Sequence, residues 1–246
     1  MGELIAVLSG KGGTGKTSVC AGIATMLASS GRKILCIDCD VGLRNLDISL
    51  AMSECSTLSF WDVCHGNYPL SQAAVHPDYP SLHFLTAPIN QAPESIDPDI
   101  LGQMLAETRA AYDYIFLDAP AGIEAGFHLA ARFADRCILV TGPSPAAIRD
   151  ASRTGELLEL MGKNNVRLIV NRVSKRLITG MAITIDDIMD STGLPLLGII
   201  PEDSHVTLAA ASGQPLLKFS PRSGAAKAIG RISNRIQGLP VPIKTR

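Results

Sequence analysis

Ser9-Gly10-Lys11-Gly12-Gly13-Thr14-Gly15-Lys16-Thr17-Ser18 matches the phosphate-binding pattern G-x-x-x-x-G-K-[ST] from Gly10 to Thr17, and its reading decides the fold. It follows the apolar run Leu4-Ile5-Ala6-Val7-Leu8 and precedes a helical pattern from Lys16 to Ser29. That is the strand, loop and helix order the chemistry requires. Glycines let successive backbone N–H groups turn into one concavity, and the first turn of the following helix adds unsatisfied donors and the positive end of its dipole. Phosphate is the anion such a concavity takes. Gly10, Lys11, Gly12, Gly13, Thr14, Gly15, Lys16, Thr17 and Ser18 are therefore assigned to nucleotide phosphate binding. Lys16 would reach the outer phosphates, and the Thr17 hydroxyl would ligate Mg2+.

Working outward, short aliphatic runs alternate with helical patterns, the rhythm of a parallel sheet covered on both faces. Strands are expected at 3–8, 33–38, 82–86, 114–118, 136–141, 166–171 and 196–200. Helices are expected at 16–29, 97–111, 125–133, 145–161, 184–192, 203–212 and 222–237. The fold class is α/β: a P-loop NTPase with a three-layer α/β/α sandwich around a mostly parallel, twisted sheet of about seven or eight strands. One domain is expected over residues 1–246, with 238–246 as a short tail. Around the single tryptophan, Leu58, Trp61 and Cys64 form the apolar face of a short amphipathic helix packed on the core.

Composition agrees and excludes other classes. Of the 246 residues 46% are hydrophobic and 18% charged, as suits buried aliphatic strands. Lys plus Arg number 22 against 23 for Asp plus Glu, a net charge of -1. That balance offers no global attraction for nucleic acid, so a nucleic-acid partner is not expected. There is no signal-peptide pattern and no apolar run long enough to span a bilayer, and a cytoplasmic protein is expected. Cys36-Ile37-Asp38-Cys39 is a C-x-x-C by letter. Residues three apart on a strand point to opposite faces and no second pair is present, so buried structural thiols are expected.

Two aliphatic strands end in acids, at Asp38 with nearby Asp40, and at Asp118. A carboxylate at the C-terminal end of a strand is what a Mg2+ site beside a phosphate loop needs. Asp118 is assigned to the metal site, with Asp38 supporting its shell, partly through water. Ala119 follows Asp118, so the acid that orients an attacking water must come from another loop, and Asp40 is the candidate. Either Asp38 or Asp40 could instead cap the segment that follows it.

Lys11-Gly12-Gly13-x-Gly15-Lys16-Thr17 is the deviant form of the phosphate-loop motif. Together with Asp38-Cys39-Asp40-Val41-Gly42-Leu43-Arg44-Asn45-Leu46-Asp47 and Asp118-Ala119-Pro120-Ala121-Gly122-Ile123-Glu124 it resembles the MinD family, bacterial cell-division site-selection ATPases of the MinD/ParA superfamily. The likeness continues through Asp150 and Gly198-Ile199-Ile200-Pro201-Glu202-Asp203 and covers almost the whole chain. It implies Mg2+-dependent ATP hydrolysis to ADP and phosphate, and a homodimer formed with ATP that switches the placement of the division septum. It also implies that Lys11 reaches across the dimer to the partner's phosphates, so that Lys11, Lys16 and Asp40 are the catalytic set. The loops 40–47 and 118–122 resemble nucleotide-dependent switches, with the Gly122 N–H near the γ-phosphate. Asn171 would hydrogen-bond the adenine, with Pro201, Glu202 and Asp203 lining its pocket; an Asn at a strand end is also a common turn residue. Asn45 and Asp150 match positions near the surface used by MinC- and MinE-like partners, against the alternative of solvated loop positions.

The family's proteins usually end in a basic amphipathic helix that binds membrane. Here Ile229, Ile232 and Ile236 fall on one stripe of the last helical pattern, which lies where the family's final core helix belongs, and two prolines interrupt the nine residues after it. The pattern is read as a core helix, and peripheral membrane association has no clear anchor. Two rival readings remain. One is a ParA-like or flagellar-number-type positioning ATPase acting on DNA or a polar partner; the other is a metal- or cluster-insertion ATPase, which would need cysteines at its dimer interface.

Overall fold

The computed structural model describes residues 1–89, 91–174, 180 and 183–243. Its strands are β1 (Glu3–Leu8), β2 (Ile34–Asp38), β3 (Ala74–Val75), β4 (Leu82–Leu85), β5 (Tyr114–Asp118), β6 (Arg136–Thr141), β7 (Val166–Val173) and β8 (Leu196–Pro201). The α-helices are α1 (Lys16–Ser29), α2 (Leu46–Leu50), α3 (Phe60–Cys64), α4 (Pro98–Ala111), α5 (Ala125–Phe133), α6 (Pro145–Leu160), α7 (Ile185–Thr192), α8 (Ser204–Ala211), α9 (Leu216–Phe219) and α10 (Gly224–Ile236). The sheet has eight strands in the order β3-β4-β2-β5-β1-β6-β7-β8, parallel throughout except for β3 on the edge.

Side chains alternate between two cores, as the period of a strand dictates. Leu4, Ala6 and Leu8 of β1 join α4, α5, α6 and α7 on one face. Ile5 and Val7 join α1, α2 and α10 on the other. The same alternation separates Cys36 from Cys39, which lie in opposite cores. Among the described residues no cluster of His, Cys, Asp and Glu could hold a metal ion in the manner of a cysteine site.

Each strand and helix expected from the aliphatic rhythm is present within two residues of its expected ends. The elements not foreseen are short: β3 is two residues with Val75 half exposed, and α2 and α9 are five and four residues, less than the span on which a periodic pattern can show. The helix near Trp61 forms and packs on the core as expected, with Phe60 and Val63 added to the face. Phe60 and Val63 are its buried residues, while Leu58, Trp61 and Cys64 are only partly buried against the same core.

The last helix is a core element. Ile229, Ile232 and Ile236 are all less than 5% exposed. Gly22 and Gly198 make room for Ile229 and Ile232, since a Cβ at either glycine would stand 2.7 or 2.4 Å from the isoleucine. Burying three such side chains is worth about 5 kcal/mol, which commits the stripe to the interior. Arg235 then donates to the carbonyls of Leu197, Val241 and Pro242, tying the proline-bearing tail back onto β8. Tail residues 244–246 lie outside the described residues. Among the described residues no helix is long and apolar enough to cross a membrane.

Candidate nucleotide site

The site lies at the C-terminal ends of β1, β2 and β5. From β1 the chain runs through α1 to β2 on one side, and from β5 it runs through α5 to β6 on the other. Loops that part in this way leave a crevice above the strand ends. The parallel register places Val7 beside Asp118 and Asp38 beside Asp118, so both strand-end acids arrive at the same level as the start of the phosphate loop.

The loop is shaped from beneath and from its own backbone. A Cβ on Gly10 would fall 2.4 Å from the Thr154 hydroxyl and 2.6 Å from the Asp150 carbonyl, so α6 can approach the loop only at glycine. Gly13 and Gly15 take φ values of 82 and 83°, in the left-handed region. Lys16 is buried and its Nζ stands 2.6 Å from Asp118 Oδ1 and 3.2 Å from Thr17 Oγ1. The Thr17 hydroxyl also favours the charged form of the Asp118 carboxyl. The three residues assigned to phosphate and metal thus meet in one contact group. Lys11, by contrast, is exposed, and no described residue forms a hydrogen bond or ion pair with it. The buried Thr14 hydroxyl has no hydrogen-bond partner among the described residues.

The carboxylates sit under strain from burial. Burial raises the Asp38 carboxyl to about 7, with the neighbouring Asp118 charge adding to the rise. Burial raises Asp118 as well, although the Lys16 ammonium and the Thr17 hydroxyl pull it down. Two buried acids answered by one lysine form a site with spare negative charge, to which a divalent cation is complementary. A cradle of glycine backbone, an engaged lysine, a threonine hydroxyl and two low-lying acids therefore fit Mg2+ together with a phosphate chain.

Both acids near β2 also hold the following loop. Asp38 accepts from the Asp40 N–H at 2.9 Å through one oxygen and from the Leu46 N–H at 3.2 Å through the other. Asp40 Oδ1 accepts from the N–H groups of Gly42 and Leu43 at 3.2 and 3.1 Å. The capping role is therefore present for both residues, and Asp38 also stands in register beside Asp118. Sequence reasoning missed Arg44, whose Nε and Nη2 both donate to the buried Thr86 hydroxyl at 3.1 and 3.0 Å. The pattern held no signal for it, because Thr86 is 42 residues away and becomes a neighbour only once β4 pairs with β2. In the other loop, the Gly122 N–H donates to the Ser9 carbonyl at 2.9 Å, joining it to the start of the phosphate loop.

At the end of β7, the β7–β8 pairing is irregular between Val170 and Val173, and Arg172 takes φ 56°. Asn171, on the α1 face of β7 like Ile169, reaches the phosphate loop, where its Nδ2 donates to the Thr14 carbonyl at 2.8 Å. Asn171, Ser18, Val206 and Ala210 line a cavity of about 50 Å3 between α1 and α8. Arg172 is a second residue the sequence did not signal; its Nε would lie 3.8 Å from a Cβ on Gly15. Pro201 ends β8, and the Glu202 N–H donates to the Val173 carbonyl. Asp203 caps α8 through the His205 N–H and braces α10 through the Ala225 N–H. Burial works to raise the Asp203 carboxyl, but those donors hold it below the usual carboxylate range.

The two positions expected at a partner surface differ. Asn45 is exposed before α2, whereas Asp150 is half-buried on α6 and its carbonyl packs under Gly10.

Known proteins resemble this arrangement along its length. The CobQ/CobB/MinD/ParA nucleotide binding domain matches residues 5–216. The septum site-determining protein MinD of Synechocystis sp. is 35% identical over 244 residues, covering 98% of this chain and 92% of that protein. The MinC:MinD cell division protein complex of Aquifex aeolicus contains a chain that superposes with a TM-score of 0.90 at 36% identity, over 98% of each chain. The septum site-determining protein MinD of Pyrococcus horikoshii, solved with Mg-ADP, superposes with a TM-score of 0.83 at 28% identity, over 96% of each chain.

Proposed function

The chain belongs to the MinD family of nucleotide-binding domains, and from that premise we propose that it is an ATP-hydrolysing switch of division-site placement whose site is completed by a second copy of itself. The observation that carries this reading is the buried contact of Lys16 with Asp118 at 2.6 Å, with Thr17 in the same group and Asp38 in register beside it.

The roles follow from the chemistry. The inward N–H groups of residues 10–18 bind the phosphates, and Lys16 turns from Asp118 toward them. Thr17 would hold Mg2+ directly, with Asp118 and Asp38 acting through water. Mg2+, when bound, supplies positive charge that offsets the charge gathering on the phosphates. Asp40 holds its loop through Oδ1 alone, which leaves Oδ2 to orient the attacking water and accept its proton. The exposed Lys11 has no partner of its own among the described residues, which suits a cation that acts on the opposite copy's phosphates. Charge supplied in this way makes hydrolysis depend on assembly.

Asn45 and the α6 surface around Asp150 are the faces proposed for protein partners, and the MinC complex of the Aquifex relative makes a MinC-like protein the first to test. Packing of Asp150 under Gly10 gives such a partner a short mechanical route to the phosphate loop. No lipid role is assigned to α10, whose isoleucines are committed to the core.

The test is assembly. Asp40→Ala, impaired in hydrolysis, should accumulate as dimer on size exclusion with ATP and Mg2+, and Lys11→Ala should bind nucleotide yet fail to hydrolyse it. Asp40→Ala that stays monomeric with bound ATP would falsify the switch, and loss of binding in Lys11→Ala would remove that lysine's role in the opposite site.

A further inference from the structure

We propose that Asn171 is a positioning residue of the phosphate loop, holding the Thr14–Gly15 peptide so that the Gly15 N–H faces the phosphates whatever base is attached to them. The inference rests on the nucleotide reading of the loop and assigns Asn171 a task separate from contact with the base.

Its ground is geometric. Asn171 is 7% exposed, and its Nδ2 stands 2.8 Å from the Thr14 carbonyl oxygen, 157 residues away in sequence. A Cβ on Gly15 would meet the same Nδ2 at 2.4 Å, so the carboxamide lies directly against the loop backbone there. In a planar trans peptide the carbonyl oxygen and the next N–H point in opposite directions. A donor that holds the Thr14 carbonyl outward therefore aims the Gly15 N–H inward. The Gly15 carbonyl is already committed to the Val19 N–H at the start of α1, so the Thr14–Gly15 peptide is the free pivot between loop and helix.

The protein places Asn171 there at a cost. The ladder between β7 and β8 is broken between Val170 and Val173, and Arg172 adopts φ 56°, a conformation that disfavours a side chain. Asn171 keeps the alternation of β7, on the side of Ile169 that faces α1, and the irregular step with its strained Arg172 follows it directly.

A residue that only read the base would matter only when a base is present. Inorganic tripolyphosphate with Mg2+ has the phosphate chain and no base, and separates the two tasks. Calorimetric titration of the parent, Asn171→Ala and Asn171→Leu with Mg2+–ATP and Mg2+–tripolyphosphate is the experiment, with the leucine variant filling the buried volume should alanine fail to fold. Both variants are expected to bind both ligands roughly tenfold more weakly, the usual worth of one buried hydrogen bond. A loss confined to Mg2+–ATP, or no loss with either ligand, overturns the proposal. A lowered melting temperature with unchanged affinity in the folded variant overturns it too, since that is the mark of a purely structural contact. Parent protein that bound neither ligand would overturn the nucleotide reading along with it, a failure visible before any variant is made.

Discussion

The two loops that flank the phosphate cradle are tied down by opposite means. Residues 39–46 are held by charge: Asp38 and Asp40 accept four backbone N–H groups, and the Arg44 guanidinium clasps Thr86. Among the described residues, 119–124 carry no such side-chain bonds and are held by backbone, with the Ala119 N–H on the Val7 carbonyl and the Gly122 N–H on the Ser9 carbonyl. A loop fastened by carboxylates answers to any cation that competes for them. A loop fastened to the phosphate loop's own carbonyl moves when that loop moves. The first is therefore expected to answer to metal and pH, and the second to movement of the phosphate loop.

The charge-held side can be broken most severely at its counter-ion. In Lys16→Ala the buried Asp118 loses its partner beside a second buried acid. Removing one member of a buried pair costs about 3 kcal/mol or more. Urea unfolding of the nucleotide-free protein should show that loss. A variant within 1 kcal/mol of the parent would mean that Asp118 is neutral when Lys16 is absent, and that the acids are less strained than their burial implies.

The next largest effect is a dependence on pH. Burial and the Asp118 charge raise Asp38 to about 7 in the folded chain, from 3.8. A raised folded value favours the protonated acid, so its contribution to stability is full below pH 4 and is lost as pH climbs through 7. Asn at this position has no proton to lose. The stability of the parent relative to Asp38→Asn should therefore fall between pH 5 and pH 7 by about 2 kcal/mol, with a slope no steeper than about 1.4 kcal/mol per unit for one proton. Parallel pH profiles for the two proteins would show that the loop depends on the amide contacts and not on the charge.

Much of the fold was legible because its signals are local. Aliphatic runs mark β1, β2, β5 and β6, and Asp97-Pro98 opens α4 as an N-cap and first-turn proline should. The phosphate loop was legible for the same reason, since all its contributions come from consecutive residues. What stayed hidden depends on tertiary placement. Arg44 meets Thr86 only across the β2–β4 pairing, and Asn171 meets Thr14 only once β7 is laid in the sheet 157 residues further on. The Asp38 and Asp40 side chains could be placed at the site from sequence, yet whether they cap the loop was open until their N–H partners had positions. Trp61 pointed to the core-packed helix, but how far a five-residue helix turns its face inward is set by where its neighbours leave room, here most for Phe60 and Val63.

The smallest expected effect tests the clasp. Thr86 is 5% exposed, and its backbone pairs on both sides with the Leu58–Phe60 segment, so the hydroxyl is fixed in place before Arg44 reaches it. Arg44 itself sits at φ 50°, a backbone state that costs about 1 kcal/mol for a residue with a side chain. The clasp offsets that cost by giving the guanidinium a partner in a buried position. Thr86→Val keeps the volume and removes the acceptor, so Arg44 should release and the loop should lose about 1 kcal/mol of local stability. Global unfolding should barely register the change, because the loop opens as its own unit. Amide hydrogen exchange is the measurement that sees it. The Gly42 and Leu43 amides, which depend on the loop staying closed over Asp40, should exchange roughly fivefold faster. The Gly122 amide, fastened to Ser9, should keep its rate. Acceleration at Gly122 as well would join the two loops into one cooperative unit and erase the division between the charge-held and the backbone-held side.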